Sequence, residues 1–262
     1  MKKIVAVVLA VALAGGAWSA ATIPVQSANL FGAMKLSGKP TSLYVAVPFV
    51  GFDGAPITAS KVIHAPGLTD GTMMHVWNAD SELYDEYEIS SGTWTAPTQT
   101  VVGDNDESED VQADLNAGIA AGSGVLLERA NKDEAVYVYG QVPDTTKESD
   151  TFEEGQTLVS APATFTGEVN LNAFQWTGVT AARENRKLIS GADFIQFRDA
   201  NNRLIKYYYL ADGGWGLQPS YAKLAAYAPY VANGQALVPQ GTAFWYCTTV
   251  GGAKVTWKSS GN

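Results

Sequence analysis

A single cysteine, Cys247, stands among the 262 residues, so no intrachain disulfide can form and the fold must rest on burial alone. Histidine is almost as scarce. His64 and His75 with one thiol cannot furnish a standard four-ligand zinc site without carboxylates, and neither metal nor cofactor is expected. Charged residues make up only 16%, against about 25% in an average soluble domain, so long charged helices are not expected. Positive charge is the scarcer sign: 17 basic residues face 26 acidic ones, a formal charge of −9. That balance opposes broad attraction to nucleic acid phosphates or anionic lipid, and no nucleic acid partner is expected. Long apolar runs are also missing. The only extended one, Ile4 to Ala14, falls short of the about 20 residues that a helical membrane span requires, so no transmembrane anchor is expected.

That short run has a definite form. Lys2 and Lys3 precede it, and small residues Gly15, Gly16, Ala17, Ser19, Ala20 and Ala21 follow, the three-part pattern of a secretory signal peptide over residues 1–21. Cleavage after Ser19 or after Ala21 satisfies the small-residue rule equally. Loss of the two lysines leaves 15 basic against 26 acidic residues, a mature formal charge of −11. The expected location is secreted, in the periplasm, at the cell surface or in the medium.

Two stretches of about 100 residues share a series of blocks in one order. Val45-Ala46-Val47-Pro48 matches Val159-Ser160-Ala161-Pro162, and Ile57 with Val62 matches Val169 with Phe174. Gly71 to Trp77 matches Gly191 to Phe197; after one extra residue, Leu83, Tyr87, Ile89 and Trp94 match Leu204, Tyr208, Leu210 and Trp215. Gly122 to Leu127 matches Gly241 to Tyr246, and Ala135 to Tyr139 matches Ala253 to Trp257. The blocks are short, rich in Val, Ile, Phe, Tyr, Trp and Thr, and separated by Gly, Pro, Asn and Asp, the pattern of strands joined by turns. Asp80-Ser81 and Asp199 to Asn202 are expected hairpin turns. Short helices are expected around Leu171 to Phe174 and Tyr221 to Tyr227. The reading is all-β: two tandem homologous small β-sandwich or partly closed β-barrel domains over 22–142 and 156–262, with a polar linker at 143–155.

Alternation along Leu204 to Leu210 places Leu204, Lys206, Tyr208 and Leu210 on one side, matched by Leu83, Asp85, Tyr87 and Ile89. Three of these four pairs stay large and apolar or aromatic, so this side is expected to face the core. The opposite side carries Tyr84, Glu86 and Glu88 in one copy and Ile205, Tyr207 and Tyr209 in the other, and is expected to face outward. Trp94 with Trp215, and Trp77 with Phe197, are expected core positions.

Gln26-Ser27-Ala28-Asn29-Leu30-Phe31-Gly32, then Met34-Lys35-Leu36 and Leu43-Tyr44-Val45-Ala46-Val47-Pro48-Phe49, resembles the opening of a group of secreted bacterial proteins. These carry a signal peptide, a Ser-Ala-Asn-x-x-Gly block and a strand ending in a Val-Pro-Phe-like sequence, and the second half here looks like a further copy of their core. The resemblance implies export and a β-rich, duplicated fold. It brings no activity, cofactor or partner.

Chemistry-bearing patterns are sparse. His75, between Met74 and Val76, points away from its apolar neighbours, and His64 precedes Ala65-Pro66-Gly67; with no thiol or acidic motif beside them, both read as structural, partly exposed residues. Cys247 follows Phe244, Trp245 and Tyr246 and reads as a small buried hydrophobe. Asp104, Asp106, Glu107, Glu109 and Asp110 form an oxygen-rich run of the kind that can hold calcium, but its spacing fails the EF-hand pattern, so a solvated acidic loop is expected, with calcium binding left open. Gly213-Gly214-Trp215-Gly216 closes a strand instead of opening a helix, unlike a dinucleotide loop. Ile205, Tyr207 and Tyr209 are the candidate ligand-binding residues, able to stack on a sugar ring, pack against the other copy or meet another subunit.

The functional expectation is therefore an exported noncatalytic surface or extracellular structural or adhesion protein, not an enzyme, whose duplicated domains meet a glycan or protein partner. A carbohydrate-binding module using exposed aromatics is the alternative. A secreted glycoside hydrolase, which needs carboxylates at a defined separation across a cleft, ranks last. Oligomeric state is left open.

Overall fold

A computed structural model describes residues 31–36, 41–78, 81, 83–102, 108–143, 149–161, 167–182, 191–217, 225–230 and 235–257. The expected signal peptide, most of the Ser-Ala-Asn block and positions 104, 106 and 107 of the acidic run lie outside them. The described residues are mostly β and form several sheets, with no closed barrel among them. Among the described residues no helix is long and apolar enough to cross a membrane.

Ten strands form the central sheet. In chain order they are β1 (Ser42–Val47), β2 (Met73–Asn78), β3 (Leu83–Ser90), β4 (Thr93–Thr95), β5 (Ser123–Glu128), β6 (Gly155–Val159), β7 (Phe194–Arg198), β8 (Leu204–Leu210), β9 (Gly214–Leu217) and β10 (Phe244–Thr248). Their hydrogen-bonded order is β9-β8-β7-β10-β6-β5-β2-β3-β4, with β1 also paired to β5. The first five strands thus pair as 4-3-2-5-1 and the last five as 9-8-7-10-6, the same arrangement repeated.

Smaller strand pairs repeat as well. Ile57–Thr58 pairs with Gly118–Ile119, as Val169–Asn170 pairs with Leu237–Val238. Phe31–Leu36 pairs with Val136–Gln141, as Ser149–Phe152 pairs with Ala253–Thr256. Apolar side chains of these pairs close over one face of the sheet. Met34, Ile57, Ile119, Val136 and Val138 pack with Val45, Met74, Tyr87, Ile89, Val125 and Leu127 in one core. Phe152, Val169, Val238, Ala253 and Val255 pack with Ile195, Phe197, Ile205, Tyr207, Phe244 and Tyr246 in another.

Short connections hold the hairpins. Ser91 and Gly92, at φ 53° and 74°, form the two-residue turn between β3 and β4, where both central residues need positive φ. Their amides donate to the Asp70 carboxylate at 3.0 and 3.1 Å. The expected turn at Asp199 to Asn202 forms, with Asn202 at φ 62°. Asp199 Oδ1 accepts from the Asn201 and Arg203 amides, both at 2.9 Å. Its Oδ2 accepts from Arg203 Nε at 2.7 Å and from the Tyr230 hydroxyl at 3.2 Å. A 3-10 turn occupies Leu171–Ala173 as expected, and a second covers Ala225–Tyr230. Of the expected helix at 221–227, positions 221–224 lie outside the described residues.

Three expectations are corrected. Part of the polar linker is strand: Ser149–Phe152 pairs with Ala253–Thr256, and β6 begins at Gly155, while residues 144–148 lie outside the described set. The faces of β8 are the reverse of those expected: Ile205 and Tyr207 are fully buried and Leu204 is 43% exposed. The cause is a one-residue slip in matching the copies. Tyr87 corresponds to Tyr207, since Tyr87 pairs with buried Met74 and Tyr207 with buried Ile195. Each of these tyrosines donates its hydroxyl to a backbone oxygen, of Asp114 at 3.1 Å and of Leu237 at 3.0 Å. The Ile89 amide donates to the Thr72 carbonyl as the Tyr209 amide donates to that of Asp193, so the hairpin between matched positions is one residue longer in the first half than in the second. A slip by one residue moves every side chain of a strand to the other face. The same shift takes Trp77 from the expected core to a half-buried place on the opposite face, while Trp94 and Trp215 are buried as expected.

Candidate functional site

Of the candidate ligand-binding residues, Ile205 and Tyr207 are enclosed in the second core. Burial pushes the Tyr207 hydroxyl well above the ordinary tyrosine range, and the Leu237 carbonyl takes its proton as a hydrogen bond. Tyr209 is half-buried and packs edge-on against Trp215 at 5.2 Å between ring centroids. Stacking on an external ring from Ile205 or Tyr207 is therefore closed off; they serve packing.

The other chemistry-bearing residues fall in separate places. Cys247 is buried, and desolvation pushes its thiol up to about 12. His75 lies across from Glu86, with Nδ1 3.4 Å from Oε1, and its Nε2 is 3.7 Å from Glu128 Oε2. His64 Nδ1 is hydrogen-bonded to the Tyr139 hydroxyl at 2.9 Å. Glu109 and Asp110 are exposed on the strand Ser108–Gln112, which among the described residues pairs only with Thr98–Val102. Among the described residues, no group of three or more His, Cys, Asp or Glu is placed to hold a metal ion. A buried polar pair that the pattern of the sequence did not single out joins β10 to the segment before β7. The Tyr246 hydroxyl donates to Asp193 Oδ2 at 2.7 Å, and burial together with that carboxylate raises its pKa. Both side chains lie inside the molecule, where the pair ties β10 to that segment.

The two strand arrangements meet through a reciprocal contact. The Ala46 amide donates to the Gly241 carbonyl at 2.9 Å, and the Ser160 amide donates to the Gly122 carbonyl at 2.8 Å. Ala46 matches Ser160 and Gly122 matches Gly241, so each half makes the same bond to the other. Gly122 and Gly241 share positive φ, at 90° and 70°. Gly124 and its match Ala243 face each other at this join: a Cβ on Gly124 would lie 2.5 Å from that of Ala243. On the sheet face away from the two cores, Leu158, Ala243, Trp245 and Cys247 form a third cluster, with Tyr44, Tyr84 and Phe194 against it. Tyr44 and Tyr84 each meet the Trp245 ring edge-on at 6.5 Å.

One cleft lies beside the His64–Tyr139 pair. It has a volume of about 580 Å³ and is lined by Phe52, Asp53, Thr58, Lys61, Tyr139 and Gly140 among others. Local backbone chemistry builds it. The Val50 and Gln141 amides donate to each other's carbonyls at 2.9 Å, setting the chain after β1 against the strand Val136–Gln141. Gly140 permits that approach, because a Cβ there would lie 2.4 Å from the Val50 carbonyl oxygen. The following turn is closed by Gly51 N–H donating to Ala55 O at 2.7 Å, Gly54 N–H to Gly51 O at 2.9 Å, and Ala55 N–H to Asp53 Oδ1 at 3.0 Å. Phe52 rides on this turn, 60% exposed, its ring 28° from the plane of Tyr139 with centroids 6.3 Å apart. No local pattern marks it: a lone Phe between glycines has no period, and Tyr139 comes from nearly 90 residues further on.

The chain matches no protein-family model, no curated protein and no solved structure.

Proposed function

We propose that this chain is an exported, noncatalytic structural or adhesion protein in which two tandem homologous β-domains, each a small sandwich, present a shared contact surface. The observation that carries the reading is the reciprocal join. Matched residues of the two halves exchange the same backbone bond, and the two five-strand arrangements run together as one sheet. Such a union holds two surfaces at a set distance and angle, which suits display better than a hinged pair does. The test is made in the producing cells. The chain is expected outside the cytoplasm with Ala20 or Thr22 at its N-terminus. Deletion of its gene is expected to lower attachment of the cells to surfaces, and added mature protein to restore it. An uncleaved chain in the cytoplasm, or unchanged attachment, rejects the proposal.

The second reading, a carbohydrate-binding module using exposed aromatics, is favoured by the Phe52 cleft. Its volume falls within the about 300–1,000 Å³ of ligand pockets in general. The aromatic residues available for it are Phe52 and Tyr139, in place of the buried Ile205 and Tyr207.

A further inference from the structure

We infer that the Phe52 cleft binds a neutral pyranose ring, stacked on Phe52 and held through vicinal hydroxyls by Asp53, Lys61 and Thr58. The inference rests on the carbohydrate reading and names its ligand class.

The apolar part of the site is a preorganised platform. Phe52 sits on a turn closed by three hydrogen bonds, beside a Tyr139 whose hydroxyl is tied to His64. An aromatic ring held this way loses little conformational freedom when a ligand covers it. Exposing it to water in the free protein is unfavourable by the apolar area concerned, and the axial C–H face of a pyranose is an apolar surface that can cover it.

The polar part selects hydroxyls over net charge. Asp53 is an acceptor-only carboxylate, Lys61 a donor-only ammonium, and Thr58 both donates and accepts. Adjacent sugar hydroxyls each donate and accept, so one can give a proton to Asp53 while its neighbour receives one from Lys61. One acid and one base leave the described lining without formal net charge. The chain as a whole is at −9, which repels polyanionic glycans such as uronates and sulfated sugars.

Binding of mature protein is measured by titration calorimetry with neutral tetrasaccharides of glucose, mannose, galactose and xylose, and with tetragalacturonate. At least one neutral sugar is expected to bind, with an affinity that changes little on raising the salt concentration. Phe52→Ala is expected to weaken it by about tenfold or more and Phe52→Trp to preserve it. Lys61→Met is expected to weaken it without altering the thermal melt, since Lys61 is exposed. Tighter binding of tetragalacturonate, lost in Phe52→Ala, overturns the neutral-ring inference while the carbohydrate reading stands. Binding unaffected by Phe52→Ala shows the site to be elsewhere and overturns the inference. No binding of any of the five overturns both.

Discussion

At the scale of single residues, burial decides what each polar group can do. Tyr207 lies in the core with its hydroxyl on the Leu237 carbonyl. Tyr207→Phe is expected to lower unfolding free energy by about 1 kcal/mol, the net worth of a buried hydrogen bond, and Tyr207→Ala by about 3–5 kcal/mol through the cavity left behind. Urea unfolding measures both; equal losses in the two variants would contradict the placement of this side chain. Cys247, with its thiol raised to about 12 by burial, is expected to resist disulfide reagents at neutral pH and to react once the chain is unfolded. Asp199 sets a pH dependence. Burial works against its ionised form, but hydrogen bonds from Arg203 and Asn201 and the charge of Arg203 outweigh it and hold the carboxyl below its usual range. A depressed folded pKa contributes stability that is complete above the unfolded value of about 3.9 and is lost as pH falls through the folded one. Asp199→Asn is therefore expected to melt lower at neutral pH, with the gap to the parent chain closing below about pH 4.

At the scale of elements, the strands could be read from alternation and turn residues, but their faces could not. Along Leu204 to Leu210 nearly every side chain is apolar or aromatic, so period two leaves both faces plausible. The partner strand settles the matter, because Ile195 and Phe197 bring Tyr207 and Ile205 to their own side. Trp94 and Trp215 were legible because a large aromatic recurs at the matched position of both copies. The Phe52 cleft was not, since it depends on a turn meeting a strand from a distant part of the chain. The join is sensitive at Gly124: a Cβ there would also lie 2.8 Å from Leu158 Cγ. Gly124→Ala is expected to destabilise by about 1–3 kcal/mol through overpacking, and adding Ala243→Gly to recover the part due to that contact while the Leu158 contact remains. A double-mutant cycle by chemical denaturation checks the coupling; simple additivity would remove the argument.

At the scale of the whole molecule, the two cores are separate, yet backbone bonds and a third cluster connect the halves. Calorimetry of the mature chain is expected to show one transition whose calorimetric and van't Hoff enthalpies agree, as for a single cooperative unit. Two resolved transitions in the parent chain would mean that the join contributes little to stability.

Composition and local pattern alone determined the β character, the doubled order of blocks and the burial of paired tryptophans, because these follow from side-chain volume, turn chemistry and spacing along the chain. Which face of β8 looks inward, how the halves bond to each other and where an aromatic is left facing solvent were decided only by tertiary structure. Each depends on which distant strand lies alongside, and a residue's neighbours in sequence carry no trace of that partner.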